Sequence, residues 1–199
     1  MKNFLTLCFF IFIGHYSHAQ LTAEQKKIQQ TFFNFLKFYK KNESKFNSFT
    51  LYKGKGRDNN PPYTIQWKEV EKYFVYLRKN VPYVGEAYIK AERQHFKNSE
   101  KWFKEDPAEE LPAGFDYDRW AGGQESIEYT YKWYTSSKNK YIVVITGKKA
   151  ILKIGNELME GAEEKDRTWY FVPFVKENGK WKMADNIYSL ELMEPEETK

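Results

Sequence analysis

This chain of 199 residues is almost without cysteine and histidine. Its one cysteine, Cys8, and two of its three histidines, His15 and His18, lie within the first 19 residues, so His95 is alone in the remainder. The absence of a cysteine pair excludes disulfides, zinc ribbons and thiol redox chemistry from that remainder. A metal site with two histidine ligands is excluded as well, and the sequence predicts no metal and no cofactor.

Long apolar runs are also missing, apart from one at the amino terminus. That run extends from Phe4 to about Gly14 after a basic start, and the small residues Ser17 and Ala19 follow it. The pattern is typical of a signal peptide, and the run is shorter than the roughly 20 apolar residues that span a bilayer. We therefore expect residues 1–19 to be removed near Ala19–Gln20. The mature protein is then exported to the periplasm or the medium and has no stable membrane anchor.

The charge is mixed in sign and spread along the chain. The formal net charge is +5, and only Lys53, Lys55 and Arg57 form a small basic group. A nucleic-acid-binding protein needs a concentrated basic surface, so nucleic acid is excluded as a partner. Aromatic residues make up 19% of the chain, which is far from the composition of a disordered protein. The length fits one domain, residues 20–199.

The first half of the chain has helical periodicity. Helices are predicted over residues 22–42, 65–79 and 83–104, the first because Thr22 and Gln25 form a capping box ahead of an apolar stripe. The third helix is predicted to place these residues along one side: Val84, Tyr88, Ala91, His95, Asn98 and Trp102. The segments 43–63 and 105–126 are predicted to be loops.

The second half has the alternation and β-branched composition of strands. Strands are predicted over residues 127–133, 140–146, 149–154, 168–175, 181–183 and 187–192. The strand 140–146 has the composition of a central strand, whereas Pro173 indicates an edge or a bulge. Asn178-Gly179 predicts a type I′ hairpin turn.

Three amino-terminal helices packed on a curved antiparallel sheet of four to five strands make an α+β fold. The closing pattern, an apolar strand, Asn178-Gly179, Lys180-Trp181-Lys182-Met183 and then Asp185, resembles the nuclear-transport-factor-2-like superfamily, in particular its secreted bacterial domains of unknown function. The resemblance covers most of residues 22–192. It implies a cone-like domain in which the open end of the cone forms a pocket.

Few residues are candidates for catalysis. His95 could act as a general base if a carboxylate orients it, and the available partners are Asp116 and Asp118 in the loop before the sheet. The alternative is a histidine that only packs and forms hydrogen bonds. Because no complete catalytic motif is present, a hydrolase or lyase that uses these residues ranks second.

The leading hypothesis is a non-enzymatic domain that binds a small molecule or a protein in or beside an aromatic-lined pocket. In a chain without disulfides, large aromatic side chains are expected to pack in the core first. Aromatic side chains that the core does not bury are then available for binding. The predicted ligand-binding residues are Tyr88, His95, Trp102, Trp120, Tyr131 and Trp133. A third hypothesis is a protein-interaction module that forms a homodimer through its sheet.

Overall fold

The structure, a computed structural model, describes residues 21–189. The predicted signal peptide and the end of the last predicted strand, 190–192, lie outside the described residues. Within residues 21–189 the predicted α+β class is confirmed, with four α-helices and two antiparallel sheets in place of the expected three helices and one sheet. No helix in residues 21–189 is both long enough and apolar enough to cross a membrane.

Within residues 21–189, the four α-helices all precede the strands of the main sheet along the chain. The helices are α1 (Ala23–Phe46), α2 (Trp67–Asn80), α3 (Glu86–Glu105) and α4 (Ile127–Tyr134). The strands are β1 (Tyr52–Lys55), β2 (Asn60–Ile65), β3 (Lys140–Thr146), β4 (Lys149–Gly155), β5 (Trp169–Glu177), β6 (Lys180–Met183) and β7 (Tyr188–Ser189).

Helix α1 begins at the predicted capping box. Thr22 Oγ1 accepts a hydrogen bond from the backbone N–H of Gln25, whose side chain accepts one from the backbone N–H of Thr22. Two of the orphan N–H groups of the first turn are satisfied in this way. The apolar stripe of α1 is buried at Ile28, Phe32, Phe35, Leu36, Tyr39 and Phe46. The helix packs with this stripe on the main sheet and on α4.

The predicted loop 43–63 is wrong in part. Helix α1 continues to Phe46, and a two-stranded hairpin, β1 and β2, forms within the segment. The backbone turns through Gly56 and Asn59, which both have positive φ. Glycine and asparagine tolerate this left-handed conformation. The many glycine and asparagine residues of this segment therefore indicate the turn of a hairpin.

The strand predicted at 127–133 is also wrong, because this segment is α4. The hydroxyl of Ser126 caps the helix by accepting a hydrogen bond from the backbone N–H of Tyr129 at 3.4 Å. Ile127, Thr130 and Tyr134 are buried, and their spacing of three and four residues is that of one helix face. Of the alternating residues that predicted a strand, Ile127 alone belongs to this face, and Tyr129 is 57% exposed.

The main sheet has the strand order β3-β4-β5-β6, and β7 pairs with the other end of β5. Strand β3 therefore lies at an edge, and the predicted central position is wrong. Strand β5 is central although it contains Pro173, because this residue lies in the gap between β6 and β7. Its carbonyl accepts a hydrogen bond from Ala184 N at 2.8 Å, and the missing N–H faces that gap.

The turn at Asn178-Gly179 is confirmed. The φ angles of Asn178 and Gly179 are 49° and 77°, and Glu177 pairs with Lys180 across the turn. Positive φ at both central residues is the requirement of a type I′ turn.

Helix α3 is joined to the sheet at its first turn. Gly85 at the N-cap has no side chain with which to cap the helix, and Glu177 of β5 takes its place. The carboxylate of Glu177 accepts hydrogen bonds from the backbone N–H groups of Glu86, at 3.2 Å, and Ala87, at 3.1 Å. A Cβ atom at Gly85 would lie 2.3 Å from Glu177 Oε2, so the contact requires glycine. This contact places α3 alongside the carboxyl end of β5.

Candidate functional site

An open cleft lies between the end of α1, the β1–β2 hairpin and the connection 106–126. Its volume is about 570 Å³, which falls within the range of small-molecule sites. We call it the acidic cleft. The side chains that define it are Tyr39, Glu43, Tyr52, Tyr117, Asp118, Trp120 and Glu125. Trp120 and Asp118 are residues that the sequence analysis singled out.

Aromatic rings form the floor and the walls of the acidic cleft. Tyr39 and Trp120 are buried in the floor, with ring centroids 5.5 Å apart. Tyr52 packs on Phe115, with centroids 4.7 Å apart, whereas 42% of Tyr117 is exposed. The floor thus belongs to the core, and Tyr52 and Tyr117 offer accessible ring faces to a ligand.

Asp118 organises the connection that closes the cleft. Its Oδ1 accepts hydrogen bonds from the backbone N–H groups of Trp120 and Ala121, each at 2.9 Å, and its Oδ2 accepts one from the hydroxyl of Tyr39 at 2.8 Å. Burial raises the pKa of Asp118 above its ordinary value, although these three hydrogen bonds act in the opposite direction. Asp118 therefore holds Trp120 in place and has little accepting capacity left for a ligand.

The charges around the cleft are unbalanced. Glu43 and Glu125 form no ion pair within the described part of the chain, and no lysine lines the cleft. Arg119, the one basic residue among the described residues of the lining, points its guanidinium at Glu92 in the core. The cleft is acidic even though the chain as a whole carries a formal net charge of +5.

A buried ion pair lies behind the cleft. Arg119 Nη2 donates to Glu92 Oε2 at 2.7 Å, and the exposed fractions of the two side chains are 5% and 0%. The guanidinium carbon of Arg119 is 4.4 Å from the ring centroid of Phe96 and 4.9 Å from that of Phe115. The Nε and Nη1 atoms of Arg119 are buried without a hydrogen-bond partner.

The other oxygen of Glu92 extends this network. Glu92 Oε1 accepts hydrogen bonds from the hydroxyl of Tyr88 at 3.2 Å and from Asn186 Nδ2 at 3.1 Å. Asn186 Oδ1 lies 2.5 Å from the same hydroxyl. Burial raises the pKa of Tyr88 well above its ordinary value, so this phenol remains a hydrogen-bond donor. The network ties α3 to the link between β6 and β7.

Glu92 is not among the predicted site residues, because the predicted core face of α3 is the wrong one. The buried residues are Tyr88, Ile89, Glu92, Phe96, Ser99 and Phe103, and of the predicted stripe on α3 only Tyr88 is among them. Because a glutamate is rarely buried, the position of Glu92 favoured the opposite face of α3 as the face that packs in the core. The heptad spacing of Ile89, Phe96 and Phe103 is the signal that identifies the true face.

The carboxylate beside His95 is Asp185, and neither Asp116 nor Asp118 is its partner. His95 Nε2 lies 2.8 Å from Asp185 Oδ1, which also accepts a hydrogen bond from Asn186 N at 2.8 Å. The hydrogen bond to Asp185 raises the pKa of His95, and burial opposes this effect. The side chains of His95 and Asp185 are 44% and 37% exposed, so a ligand can reach the pair.

The remaining predicted residues do not meet in one pocket. Trp102 is 49% exposed on α3. Tyr131 on α4 lies beneath Lys40, whose Nζ is 5.1 Å from its ring centroid. Trp133 packs edge-on against Tyr170, with centroids 4.9 Å apart. These residues occupy separate places, and Trp120 alone belongs to the acidic cleft.

Among residues 21–189, no group of three or more His, Cys, Asp or Glu side chains is arranged to hold a metal ion. The cleft can hold a polar or cationic molecule through carboxylates, amides and ring faces. Comparisons with protein-family models, curated proteins and solved structures give no match to this chain.

Proposed function

We propose that this protein is an exported, non-enzymatic binding domain that holds a small organic cation in the acidic cleft. One observation carries the proposal. Among the described residues, the cleft combines the unpaired carboxylates of Glu43 and Glu125 with the half-buried ring of Tyr52 and the exposed ring of Tyr117, and no lysine lines it. The predicted signal peptide supports export.

The chemistry of the lining selects for positive charge. An ammonium group within about 6 Å of an aromatic centroid gains roughly 0.5 to 2 kcal/mol from the negative face of the ring. A carboxylate nearby adds a Coulomb attraction that is stronger at a partly buried site than in bulk water. Anions are repelled by the same carboxylates, and a neutral molecule gains only from apolar contact.

The test compares choline with 3,3-dimethyl-1-butanol, which has the same shape without the charge. We expect isothermal titration calorimetry to detect choline and to show much weaker binding of the neutral molecule. Glu43→Gln and Glu125→Gln should each weaken choline binding by roughly two- to fivefold, the equivalent of about 0.5–1 kcal/mol. Glu160→Gln, in an exposed loop, is the matched control. Equal binding of both molecules would reject the proposal.

A hydrolase or lyase is the second candidate. It is supported by the pair of His95 and Asp185, because an oriented imidazole can act as a general base. If this function is correct, an ester or enolisable substrate is turned over with a rate that rises as His95 loses its proton, and His95→Gln removes that pH dependence. Equal rates for the wild type and the variant would exclude it.

A homodimer through the sheet is a further candidate for the interaction role. Ile142 and Val144 on the edge strand β3 are 36% and 46% exposed. Light scattering should then report a dimer that Val144→Lys dissociates. A strict monomer would reject this candidate.

Membership of the nuclear-transport-factor-2-like superfamily, with its cone-like curved sheet, is also a proposal. It is supported by three helices that precede the main antiparallel sheet and by the final hairpin at Asn178-Gly179. A fourth helix, α4, and the β1–β2 hairpin are departures from the expected pattern.

A further inference from the structure

A second concave region lies between α3 and the outer face of the main sheet, away from the acidic cleft. Its volume is about 670 Å³. We call it the His95 groove. The residues that define it are Ala87, His95, Ile151, Pro173, Val175 and Tyr188. Most of its lining is apolar. Water can form few hydrogen bonds with such a surface, whereas an apolar ligand is stabilised by the burial of its own apolar surface there.

The fold creates this groove in two steps. Residues of β4 and β5 alternate between the α1 side and the outer side, which leaves Ile151, Pro173 and Val175 partly exposed on the outer face. Glu177 then holds the first turn of α3 beside this face, and Ala87 becomes part of the groove wall. The groove is therefore a consequence of how α3 is anchored to β5.

The polar groups of the groove are unevenly paired. Asp185 Oδ1 is occupied by His95 Nε2 and by Asn186 N. The ammonium of Lys149, on the rim, has no hydrogen-bond partner and no ion pair among residues 21–189. His95 Nδ1 is likewise without a partner there, since the contact with Asp185 uses the other ring nitrogen. Among the described residues, the groove thus offers one free ammonium and one free imidazole nitrogen, and the charge of its one carboxylate, Asp185, is balanced by His95 when that ring is protonated.

We propose that the His95 groove binds an amphipathic carboxylate, a molecule with one unbranched apolar chain and one anionic head. The chain lies on Ile151, Pro173 and Val175, where it removes apolar surface of the sheet from water. Lys149 and protonated His95 attract the head group. The charge complementarity is opposite to that of the acidic cleft, so the two sites select different ligands and this proposal does not depend on the first.

The test uses dodecanoate below its micellar concentration, with dodecyltrimethylammonium as the probe of equal chain length and opposite charge. Both are titrated into the mature protein, residues 20–199, and binding is followed by amide chemical shifts. Dodecanoate is expected to shift the amides of Ala87, Ile151 and Val175, and the affinity measured at these amides should be at least tenfold tighter for dodecanoate than for the cationic probe. Shifts that the cationic head group causes at the acidic cleft are counted separately. Equal affinities at the amides of the groove would overturn the proposal, since they would indicate apolar contact without recognition of the head group.

Variants separate the groove from nonspecific binding. Lys149→Gln should weaken dodecanoate binding by about tenfold, the equivalent of one charge-assisted hydrogen bond. Lys148→Gln, in the turn that precedes β4, should leave binding unchanged. Ala87→Trp should abolish binding because the ring fills the groove, and its amide spectrum shows whether the fold is retained. An equal loss in both lysine variants contradicts the proposal. If Ala87→Trp instead changes the oligomeric state and leaves dodecanoate binding intact, the groove is an interface between copies and the proposal fails.

Discussion

Replacement of Glu92 by glutamine should be among the most destabilising single substitutions in this protein. The variant keeps the shape of the side chain but removes the charge that faces the buried guanidinium of Arg119, at 2.7 Å. Removal of one partner from a buried ion pair costs about 3–5 kcal/mol, because the other charge stays buried without compensation. With a total stability of about 5–15 kcal/mol, this loss is between about a fifth and the whole of the free energy of unfolding. The melting temperature should fall by roughly 6–20 °C.

The double variant Glu92→Gln/Arg119→Met makes the test specific. Nε and Nη1 of Arg119 have no partner in the wild type, so their desolvation already costs stability. We expect the double variant to recover most of the loss, and urea denaturation followed by tryptophan fluorescence measures it. The exposed pair of Arg78 and Glu86 is the control, and Glu86→Gln should cost no more than about 1 kcal/mol. A loss below about 1 kcal/mol for Glu92→Gln, or no recovery in the double variant, would refute this reasoning.

Two further predictions concern pH and the hairpin turn. The pKa of His95 is raised by its hydrogen bond to Asp185, so the pair contributes stability that is fully present below the unfolded histidine pKa of about 6.5. This contribution is lost as the pH rises through the higher folded pKa. Titration of the His95 ring by NMR checks the direction, and Asp185→Asn should lower that pKa; an unchanged value would contradict the assignment. Gly179→Ala should destabilise the protein by about 1–2 kcal/mol in chemical denaturation, since a Cβ at a φ of 77° is strained. Lys180→Ala is its control, and equal losses would argue against backbone strain as the cause.

The parts of the fold that could be predicted from sequence are those in which one local signal dominates. The capping box at Thr22, the period of α1 and the Asn178-Gly179 turn each specify their geometry within a few residues. Strand β3 is β-branched from Ile142 to Thr146, a composition that favours a strand.

The errors arise where two signals compete. In α4, aromatic residues favoured a strand, whereas the cap at Ser126 and the spacing of Ile127, Thr130 and Tyr134 favour a helix. On α3, the polarity of Glu92 hid the core face, because its burial depends on Arg119, which is 27 residues away in the chain. A partner so distant leaves no local pattern.

The candidate sites were only partly accessible to sequence reasoning for the same reason. Trp120 and Asp118 were recognised, but the acidic cleft also needs Glu43 from α1 and Tyr52 from the hairpin. His95 was recognised without its partner, since Asp185 lies 90 residues further along the chain. Charge complementarity between distant segments appears only when the fold places them side by side.

The central claim is that the acidic cleft recognises positive charge on a small molecule. A crystal structure of the protein grown with choline tests it most directly. The claim predicts the trimethylammonium group in the cleft, within about 6 Å of the ring centroid of Tyr52 or Tyr117 and beside Glu43 or Glu125. Choline bound elsewhere on the protein, with this cleft filled only by solvent at saturating ligand, would contradict it.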